Sequence, residues 1–451
     1  MRQATSVGKV ALAVLSLLLA VLIWGKGLEE SFSRPSVVPK LSMRQQEMSF
    51  LAAPVIPSSL RPILVGDSPE KNLRKVLREI PLDQMEDRER IILAILESSE
   101  EKRRVVLETP AKNKSLASLQ RVLLLRSAKS LPESTVVSAL EEIKYDPLLY
   151  QVSCLALGEE VEDCFDSGIA NSMASRLMFS QGVPALAVLL GSGLLIRQFW
   201  LFVRKANSQW PEPVLLPLSL IDMVLLVAGG FVVLGEVIFP AFIAPISQNL
   251  ISGIESPLRD SLSVFLGYSA MTLPPLLILR QQLQGLKSFD LPDGGWLQWR
   301  LRPFDKAFFK ALSGWLMITP LVLLTSWLMN LLVGDQGGSN PLLELVLQSR
   351  EPFSLILLLV TTVVLAPLFE ELVFRGALLP VLVKDLGRGW GVMVSALVFA
   401  LAHLSVGELP PLIVLGLGLS LLRLSTGRLF PCVLMHSLWN GVTFINLLLL
   451  G

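Results

Sequence analysis

The polar side chains best suited to chemistry lie in short motifs within apolar C-terminal segments. The chain has two histidines, His403 and His436, and each stands four residues from a second group, Phe399 in one case and Asn440 in the other. An ionisable group at membrane depth costs about 2.5–3.5 kcal/mol to insert, so such groups usually serve a site. Imidazole and carboxamide groups can move protons and donate hydrogen bonds, which points to acid–base chemistry.

A motif upstream adds two carboxylates and one guanidinium, Glu370, Glu371 and Arg375. On a helix, Glu371 and Arg375 are four residues apart, so they meet on one face and can form an ion pair. Glu370 points about 100° away and is free to face a water molecule. We expect Glu370 to act as a general base while Arg375 keeps Glu371 ionised. A purely structural Glu–Arg clamp is the alternative, but it leaves one negative charge in surplus.

Each histidine motif also has a structural interpretation. A single histidine in an apolar helix usually forms an interhelical hydrogen bond, and the pair His436 and Asn440 could do the same. These two side chains lie one turn apart on one face, however, and both can donate to a developing oxyanion. Taken together, the three motifs favour a hydrolytic site over separate structural contacts.

The order Glu-Glu-x-x-x-Arg, Phe-x-x-x-His and His-x-x-x-Asn resembles the CAAX protease and bacteriocin-processing (CPBP) family. These intramembrane proteases, also called the Abi family, include prenyl-protein endopeptidases and lysostaphin-resistance-like proteins. The resemblance covers roughly residues 350–450. It implies that a water activated between Glu370 and His403 hydrolyses a peptide bond. His436 and Asn440 would stabilise the tetrahedral intermediate. The remaining motif residues would shape the site: Glu371, Arg375 and Phe399.

The sequence leaves open whether a metal ion takes part. Glu370, His403 and His436 could hold a divalent ion such as zinc, or they could simply hold water. The chain lacks a His-Glu-x-x-His motif, although the family name implies a metalloprotease. A metal-dependent endopeptidase and a metal-free, glutamate-dependent one therefore both stand as hypotheses.

The hydropathy pattern places these motifs on membrane-spanning helices. Hydrophobic residues make up 52% of the chain and are concentrated in blocks. Lipid offers peptide groups no hydrogen-bond partner, so these blocks should be helical. With the N-terminal apolar run they predict an all-α polytopic membrane bundle of about nine transmembrane helices. The other eight lie near residues 182–203, 214–239, 261–279, 311–333, 354–383, 389–406, 411–426 and 430–450.

The segment that carries the two glutamates must run on past Arg375 if Glu370 is to reach mid-depth. At about 30 residues it exceeds one bilayer thickness, so we expect it to tilt or to break near Pro367 or Pro380. Further charged residues fall in or near spans, and we interpret them as side chains that extend to the membrane surface. Among them are Asp222, Glu236 and Arg423.

Composition divides the chain into four parts. These are an N-terminal signal anchor at 1–27, a soluble, mostly helical region at 28–178, transmembrane helices with a basic loop at 179–340, and a catalytic membrane domain at 341–451. The N-terminal run could instead be a cleaved signal peptide, but no small-residue cleavage pattern follows it. Basic residues such as Arg2 and Lys9 alternate with acidic loops such as the one containing Asp335. By the positive-inside rule, the basic loops are cytoplasmic and 28–178 is exoplasmic. Cys154 and Cys164 could pair if that region faces an oxidising compartment.

These observations predict an intramembrane endopeptidase, multi-pass in a plasma, inner or thylakoid-type membrane. Its partners would be the lipid bilayer and a membrane-associated protein or peptide substrate. The net charge of +1 gives no reason to expect nucleic-acid binding. One alternative is a non-proteolytic chaperone or scaffold of the same family, which has no need of both glutamates. Another is a proton-coupled transporter, but the hydropathy pattern reveals no inverted repeats.

Overall fold

The computed structural model describes residues 6–451 except for 35, 81, 83–84, 127–131, 159–163, 207–208, 335–337 and 339–340. Arg2 and Asp335, which contributed to the predicted topology, lie outside the described residues. Every regular element in the described part is helical, which confirms the all-α class. The chain forms two compact units, one of residues 38–183 and the other of residues 1–37 and 184–449.

The helices are numbered from the N-terminus. They are α1 (Val7–Ser31), α2 (Val38–Ala52), α3 (Arg61–Leu64), α4 (Pro69–Arg78), α5 (Asp87–Leu96), α6 (Glu100–Leu107), α7 (Lys114–Arg126), α8 (Glu133–Glu141), α9 (Pro147–Ala156), α10 (Ser167–Val203), α11 (Leu220–Leu250), α12 (Leu258–Gln284), α13 (Phe304–Val333), α14 (Pro341–Gln348), α15 (Pro352–Leu401), α16 (Leu409–Thr426) and α17 (Phe430–Leu450).

The unit of residues 38–183 consists of short amphipathic helices around an apolar core. Leu73 and Leu77 of α4 share one helical face with the spacing that the sequence suggests, and both are at most 1% exposed. α4 begins at Pro69, whose fixed φ suits the first turn of a helix. Cys154 and Cys164 are joined by a disulfide bond, with their Cα atoms 5.6 Å apart. The bond links the end of α9 to the segment that leads into α10.

An ion pair between a buried carboxylate and a half-exposed guanidinium also holds this unit together. Arg78 donates from Nε and Nη2 to the two carboxylate oxygens of Glu97 at 2.7 and 2.6 Å. The hydrogen bond from the Arg78 guanidinium lowers the pKa of the Glu97 carboxyl. Because the contact is bidentate and charge-assisted, it fixes the end of α4 against the end of α5.

Eight described helices are long and apolar enough to span a bilayer, namely α1, α10, α11, α12, α13, α15, α16 and α17. This confirms a polytopic membrane protein, with eight such helices where the sequence predicts about nine spans. The difference arises in α15, whose 50 residues contain the predicted segment 354–383 and most of the predicted segment 389–406.

Helix α15 folds back on itself at Gly387, where φ is 83° and ψ is 166°. A glycine adopts this backbone easily because it has no Cβ. A Cβ added to Gly391 would lie 2.8 Å from the backbone nitrogen of Val383, eight residues earlier. In a continuous helix, eight residues cover about 12 Å. The two halves of α15 therefore run side by side, as the two predicted segments would.

The sequence predicts a tilt or a break near Pro367 or Pro380, and the backbone does not break at either proline. Instead, α15 widens into π-helical turns at Val360–Leu365 and Leu372–Leu378, and each proline follows such a turn by two residues. A π-helical turn changes which carbonyl oxygen each backbone N–H reaches. The helix can therefore continue through a proline, which has no N–H to donate. The second π-helical turn contains Arg375, so the irregularity falls within the first motif.

The interpretation of Asp222 and Glu236 as surface-reaching side chains is wrong. Asp222 accepts from Lys9 Nζ of α1 at 2.5 Å, and Glu236 accepts from Trp24 Nε1 at 3.1 Å. Both pairs join α1 to α11, because polar groups on two apolar helices satisfy one another where the helices pack. Helix α1 is thus a packed part of the membrane unit. Arg423 is likewise buried, only 4% exposed.

Candidate active site

The ion pair that the i,i+4 spacing predicts is present in α15. Arg375 Nη1 donates to Glu371 Oε1 at 2.9 Å, and both side chains are fully buried. Removing two charges from water is costly, and the cost is offset only when the remaining polar atoms find good contacts. The surroundings of this pair therefore determine what it can do.

Arg375 has two further contacts that hold its guanidinium in place. Nη2 donates to the backbone carbonyl of Gly416 at 3.2 Å, and the guanidinium carbon lies 4.2 Å from the centre of the Phe399 ring. A Cβ on Gly416 would lie 3.0 Å from the Cα atom of Ala396, so glycine lets α16 approach α15 closely here. Phe399, itself fully buried, thus supports the arginine by a cation–π contact.

His436 reaches the same carboxylate from α17. Its Nδ1 lies 2.9 Å from Glu371 Oε1, so one carboxylate oxygen contacts both Arg375 and His436. An ionised carboxylate can only accept, so Nδ1 of His436 carries a proton in this contact. A carboxylate in this position fixes the orientation of the imidazole and leaves its Nε2 for the site.

His403 is fixed in a different way and lies in the turn that follows α15. Its Nδ1 lies 2.9 Å from the backbone carbonyl of Phe399, and the two rings contact each other with centroids 4.8 Å apart. A carbonyl oxygen only accepts, so Nδ1 donates and Nε2 of the neutral ring carries the lone pair. His403 can therefore accept a proton at Nε2.

Glu370 has one carboxylate oxygen engaged and one without a protein partner. Its Oε1 accepts from the hydroxyl of Tyr268 at 3.1 Å. Its Oε2 is buried without a hydrogen bond to any described residue and lies 3.9 Å from His436 Nε2. The side chain is 15% exposed, whereas that of Glu371 is fully buried. Glu370 is thus the carboxylate that can reach a substrate or a water.

Tyr268 of α12 is a site residue that sequence reasoning missed. It lies 102 residues before Glu370 and belongs to none of the three motifs. One weak feature of the sequence could have indicated it. Of the three tyrosines in the chain, Tyr268 alone lies in a predicted apolar span. Its ring also packs edge-on against Phe369, at a centroid distance of 6.3 Å.

Asn440 lies one turn after His436 and uses part of its carboxamide for structure. Its Nδ2 donates to the backbone carbonyl of Thr362 at 2.8 Å. A carboxamide nitrogen has two hydrogens, so one remains for a ligand. The bond to Thr362 fixes the orientation of the amide between α17 and α15.

A cavity of about 380 Å³ joins these groups, with Glu370, His403, His436 and Asn440 all in its lining. Further lining residues come from α12, α13, α14, α16 and the residue before α16, and they include Tyr268, Ser326, Leu342, Val346, Glu408 and Leu415. Glu371, Arg375 and Phe399 stand behind the cavity and contact its lining. The structure therefore brings every sequence-predicted site residue to one place.

The three side chains considered as zinc ligands do not form a metal site. No group of three or more His, Cys, Asp or Glu side chains in the described part of the chain has a spacing that could hold a metal ion. Glu370 Oε2 and His436 Nε2 are 3.9 Å apart, but His403 does not complete a three-ligand set with them. The mechanism proposed below accordingly uses only the side chains of the protein.

Two family models match parts of the chain. Residues 352–442, which contain all three motifs, match the model described as type II CAAX prenyl endopeptidase Rce1-like. Residues 38–175 match a model described as a domain of unknown function (DUF8675). No curated protein and no solved structure matches the chain. The match at 352–442 confirms, over that part of the chain, the resemblance to the CAAX protease (CPBP) family drawn from the motifs, and the chain has the helices of a multi-pass membrane protein.

Proposed function

We propose that this chain is an intramembrane endopeptidase that hydrolyses a peptide bond in a membrane-associated protein or peptide. The observation that carries the proposal is Glu370 Oε2, a buried oxygen in the cavity with no hydrogen bond from the described protein. A buried polar atom rarely lacks a partner, and a nucleophilic water is the partner that fits this position. Glu371 Oε2 also lacks a partner, but Glu371 does not line the cavity.

Glu370 and His403 would activate this water. Tyr268 engages Oε1 of Glu370, which leaves Oε2 to accept a hydrogen from the water. Nε2 of His403 supplies a second acceptor, because its Nδ1 is tied to the Phe399 carbonyl. As the water oxygen attacks the scissile carbonyl carbon, its proton passes to Glu370. A positioned general base of this kind contributes about 10²–10⁴-fold to rate.

His436 and Asn440 would stabilise the oxyanion that this attack creates. Nδ1 of His436 faces Glu371 and its Nε2 faces Glu370. In the proposed mechanism the imidazole carries a hydrogen on both nitrogens. Its positive charge, together with that of Arg375, balances the two glutamates. Nε2–H of His436 and the remaining amide hydrogen of Asn440 are then the two donors.

Breakdown of the intermediate reverses the proton transfer. The C–N bond breaks, and the carboxylic acid of Glu370 returns its proton to the leaving amine nitrogen. Glu370 is thereby ionised again and ready for the next water. The fixed positions of Tyr268, Glu371 and Arg375 mean that the site needs little reorganisation between these steps.

The experiment that tests the proposed function identifies cleaved proteins without assuming a sequence. Membranes that contain the wild-type chain are compared with membranes that contain Glu370→Gln, and new protein termini are identified by mass spectrometry. A farnesylated peptide ending in a CAAX motif serves as a defined probe, because the matched family is described as a prenyl endopeptidase. Identical termini in both membranes, with an intact probe, would contradict the proposal.

Tyr268→Phe tests how Glu370 is positioned. The substitution removes the hydrogen bond to Oε1 and keeps the ring that packs on Phe369. A hydrogen bond to a charged group contributes about 1.5–3 kcal/mol, so we expect kcat to fall by about 10- to 100-fold with little change in KM. Kinetics on the cleaved probe and thermal stability are measured together.

Tyr150→Phe is the matched control, since Tyr150 lies in α9 outside the membrane unit. It should leave cleavage unchanged. An unchanged kcat in Tyr268→Phe would show that the hydroxyl does not position the base.

We further propose that residues 28–178 face the exoplasmic side and that the loop between α12 and α13 is cytoplasmic. The disulfide between Cys154 and Cys164 supports this orientation, because such bonds persist in oxidising compartments. The basic residues of that loop agree with the positive-inside rule. They include Lys287, Arg300 and Arg302.

Cysteine labelling tests the orientation directly. Ser99→Cys in the helical unit and Ser288→Cys in the α12–α13 loop should react with a membrane-impermeant maleimide from opposite sides of sealed vesicles. Background labelling should be low, because Cys154 and Cys164 are bonded and Cys432 is buried. If both positions react from the same side, the proposed orientation is wrong.

A further inference from the structure

A second groove lies at the C-terminal end of α12 and shares no lining residue with the catalytic cavity. It has a volume of about 420 Å³, and five leucines form its walls. They come from α12, from the loop that follows it and from α15: Leu276, Leu279, Leu283, Leu297 and Leu372. The remaining lining residues are polar and form a rim, which consists of Arg280, Gln284 and Lys287.

The rim carries positive charge that the protein does not neutralise. Arg280, Gln284 and Lys287 are spaced at i, i+4 and i+7, and all three are exposed. Within the part of the chain that the structure describes, Arg280 and Lys287 form no ion pair, and no acidic side chain lines the groove. Two cations thus stand at one edge of an apolar surface.

Along α12, the apolar walls and the basic rim of the groove follow each other in the same order as the acyl chains and the headgroup of a lipid. α12 is apolar enough to span the bilayer and ends at Gln284. Its last turns hold the leucine walls, so these lie in the acyl-chain region, while Lys287 lies just beyond the helix at headgroup level. Long basic side chains at such positions place their charge in the interface.

The wall formed by the α12–α13 loop is held in place. The backbone carbonyl of Leu297 accepts from Arg423 Nη2 at 3.5 Å, and the carbonyl of Gln298 accepts from the backbone N–H of Leu429 at 3.0 Å. A Cβ on Gly376 would lie 3.4 Å from the Leu297 side chain, so the loop packs closely on α15. The groove is therefore bounded by fixed elements on both sides.

We propose that this groove binds an anionic glycerophospholipid. An acyl chain would lie along the leucines, and the phosphate would bind between Arg280 and Lys287, with the Gln284 amide as a further donor. Basic pockets between transmembrane helices bind anionic headgroups by this pattern of charge above an apolar surface. A zwitterionic choline lipid fits less well, because its own cation would face the two basic side chains.

Lipid binding to the purified full-length chain tests the proposal without any protease assay. The protein in neutral detergent is titrated with phosphatidylglycerol or with phosphatidylcholine of the same acyl chains, and native mass spectrometry and thermal unfolding report binding. Each basic residue near a headgroup contributes about 1 kcal/mol, so two should favour phosphatidylglycerol about 30-fold in affinity. In the double variant Arg280→Gln, Lys287→Gln, the two lipids should bind with nearly equal affinity.

The matched control removes two other exposed lysines from a span end, with Lys306→Gln and Lys310→Gln in α13. These residues do not line the groove, so the preference for phosphatidylglycerol should persist. Three results would overturn the proposal: equal binding of the two lipids by the wild type, a preference that survives in the Arg280/Lys287 variant, or an equal loss in the control. Glycerol 3-phosphate tests the headgroup alone. If it raises the unfolding temperature of the protein as much as phosphatidylglycerol does, the leucines do not contribute to binding.

Discussion

Glu370→Gln is expected to abolish cleavage while the protein stays folded and inserted in the membrane. Gln keeps the shape of the side chain and can still accept the hydrogen bond from Tyr268. It cannot take the proton of the attacking water, so the contribution of the general base, about 10²–10⁴-fold, is lost. His403→Ala should cause a comparable loss, because it removes the second acceptor at the cavity. Cleavage of the farnesylated CAAX peptide in detergent or liposomes measures both effects.

Glu236→Gln is the matched control for the loss of a buried membrane carboxylate. Glu236 accepts from Trp24 between α1 and α11 and does not line the catalytic cavity. Gln can accept the same hydrogen bond, so cleavage should continue at the wild-type rate. If Glu370→Gln also cleaves at the wild-type rate, the protease mechanism is wrong. The non-proteolytic chaperone or scaffold then becomes the better hypothesis.

Local spacing predicted those features of the site that depend on a single helix. The contact between Glu371 and Arg375 follows from their i,i+4 separation, and the structure places them 2.9 Å apart. Spacing could not predict that His436 from α17 contacts the same carboxylate oxygen, because that contact depends on how two helices pack. The family motifs indicated that these residues belong to one site, but not which atoms meet.

Contacts between distant helices explain what the sequence missed. Tyr268 reaches Glu370 from α12 across 102 residues, and Lys9 reaches Asp222 across 213 residues. A charged residue in an apolar segment can either extend to the surface or pair with a neighbouring helix, and composition does not distinguish these outcomes. The number of helices depended on Gly387, because a positive φ at one glycine determines where α15 turns back.

The buried cluster behind the cavity has a charge balance that depends on all of its members. Glu371 is shared by Arg375 and His436, and the Arg375 guanidinium is supported by Phe399 and by the Gly416 carbonyl. The removal of one member therefore leaves another with a charge that nothing compensates in a region of low dielectric constant. Substitutions in this cluster should affect stability as well as rate, unlike substitutions of Glu370.

Arg375→Ala is expected to destabilise the protein strongly and also to reduce cleavage. The change leaves Glu371 charged, fully buried and without its guanidinium partner, and a broken buried ion pair typically costs about 3–5 kcal/mol. It also removes the support under Phe399 and the hydrogen bond to Gly416. Thermal unfolding in detergent measures the loss of stability, and cleavage is followed on the same samples.

A second substitution distinguishes two causes of the lost stability, the uncompensated charge of Glu371 and the lost packing of the Arg375 guanidinium. Arg375→Ala combined with Glu371→Gln removes the negative charge and keeps an oxygen that can accept from His436 Nδ1. The double variant should therefore unfold at a higher temperature than Arg375→Ala alone, although cleavage stays low because the charge that orients His436 is gone. Equal stability of the two variants would mean that the loss comes from the packing of the guanidinium on Phe399 and not from the charge of Glu371.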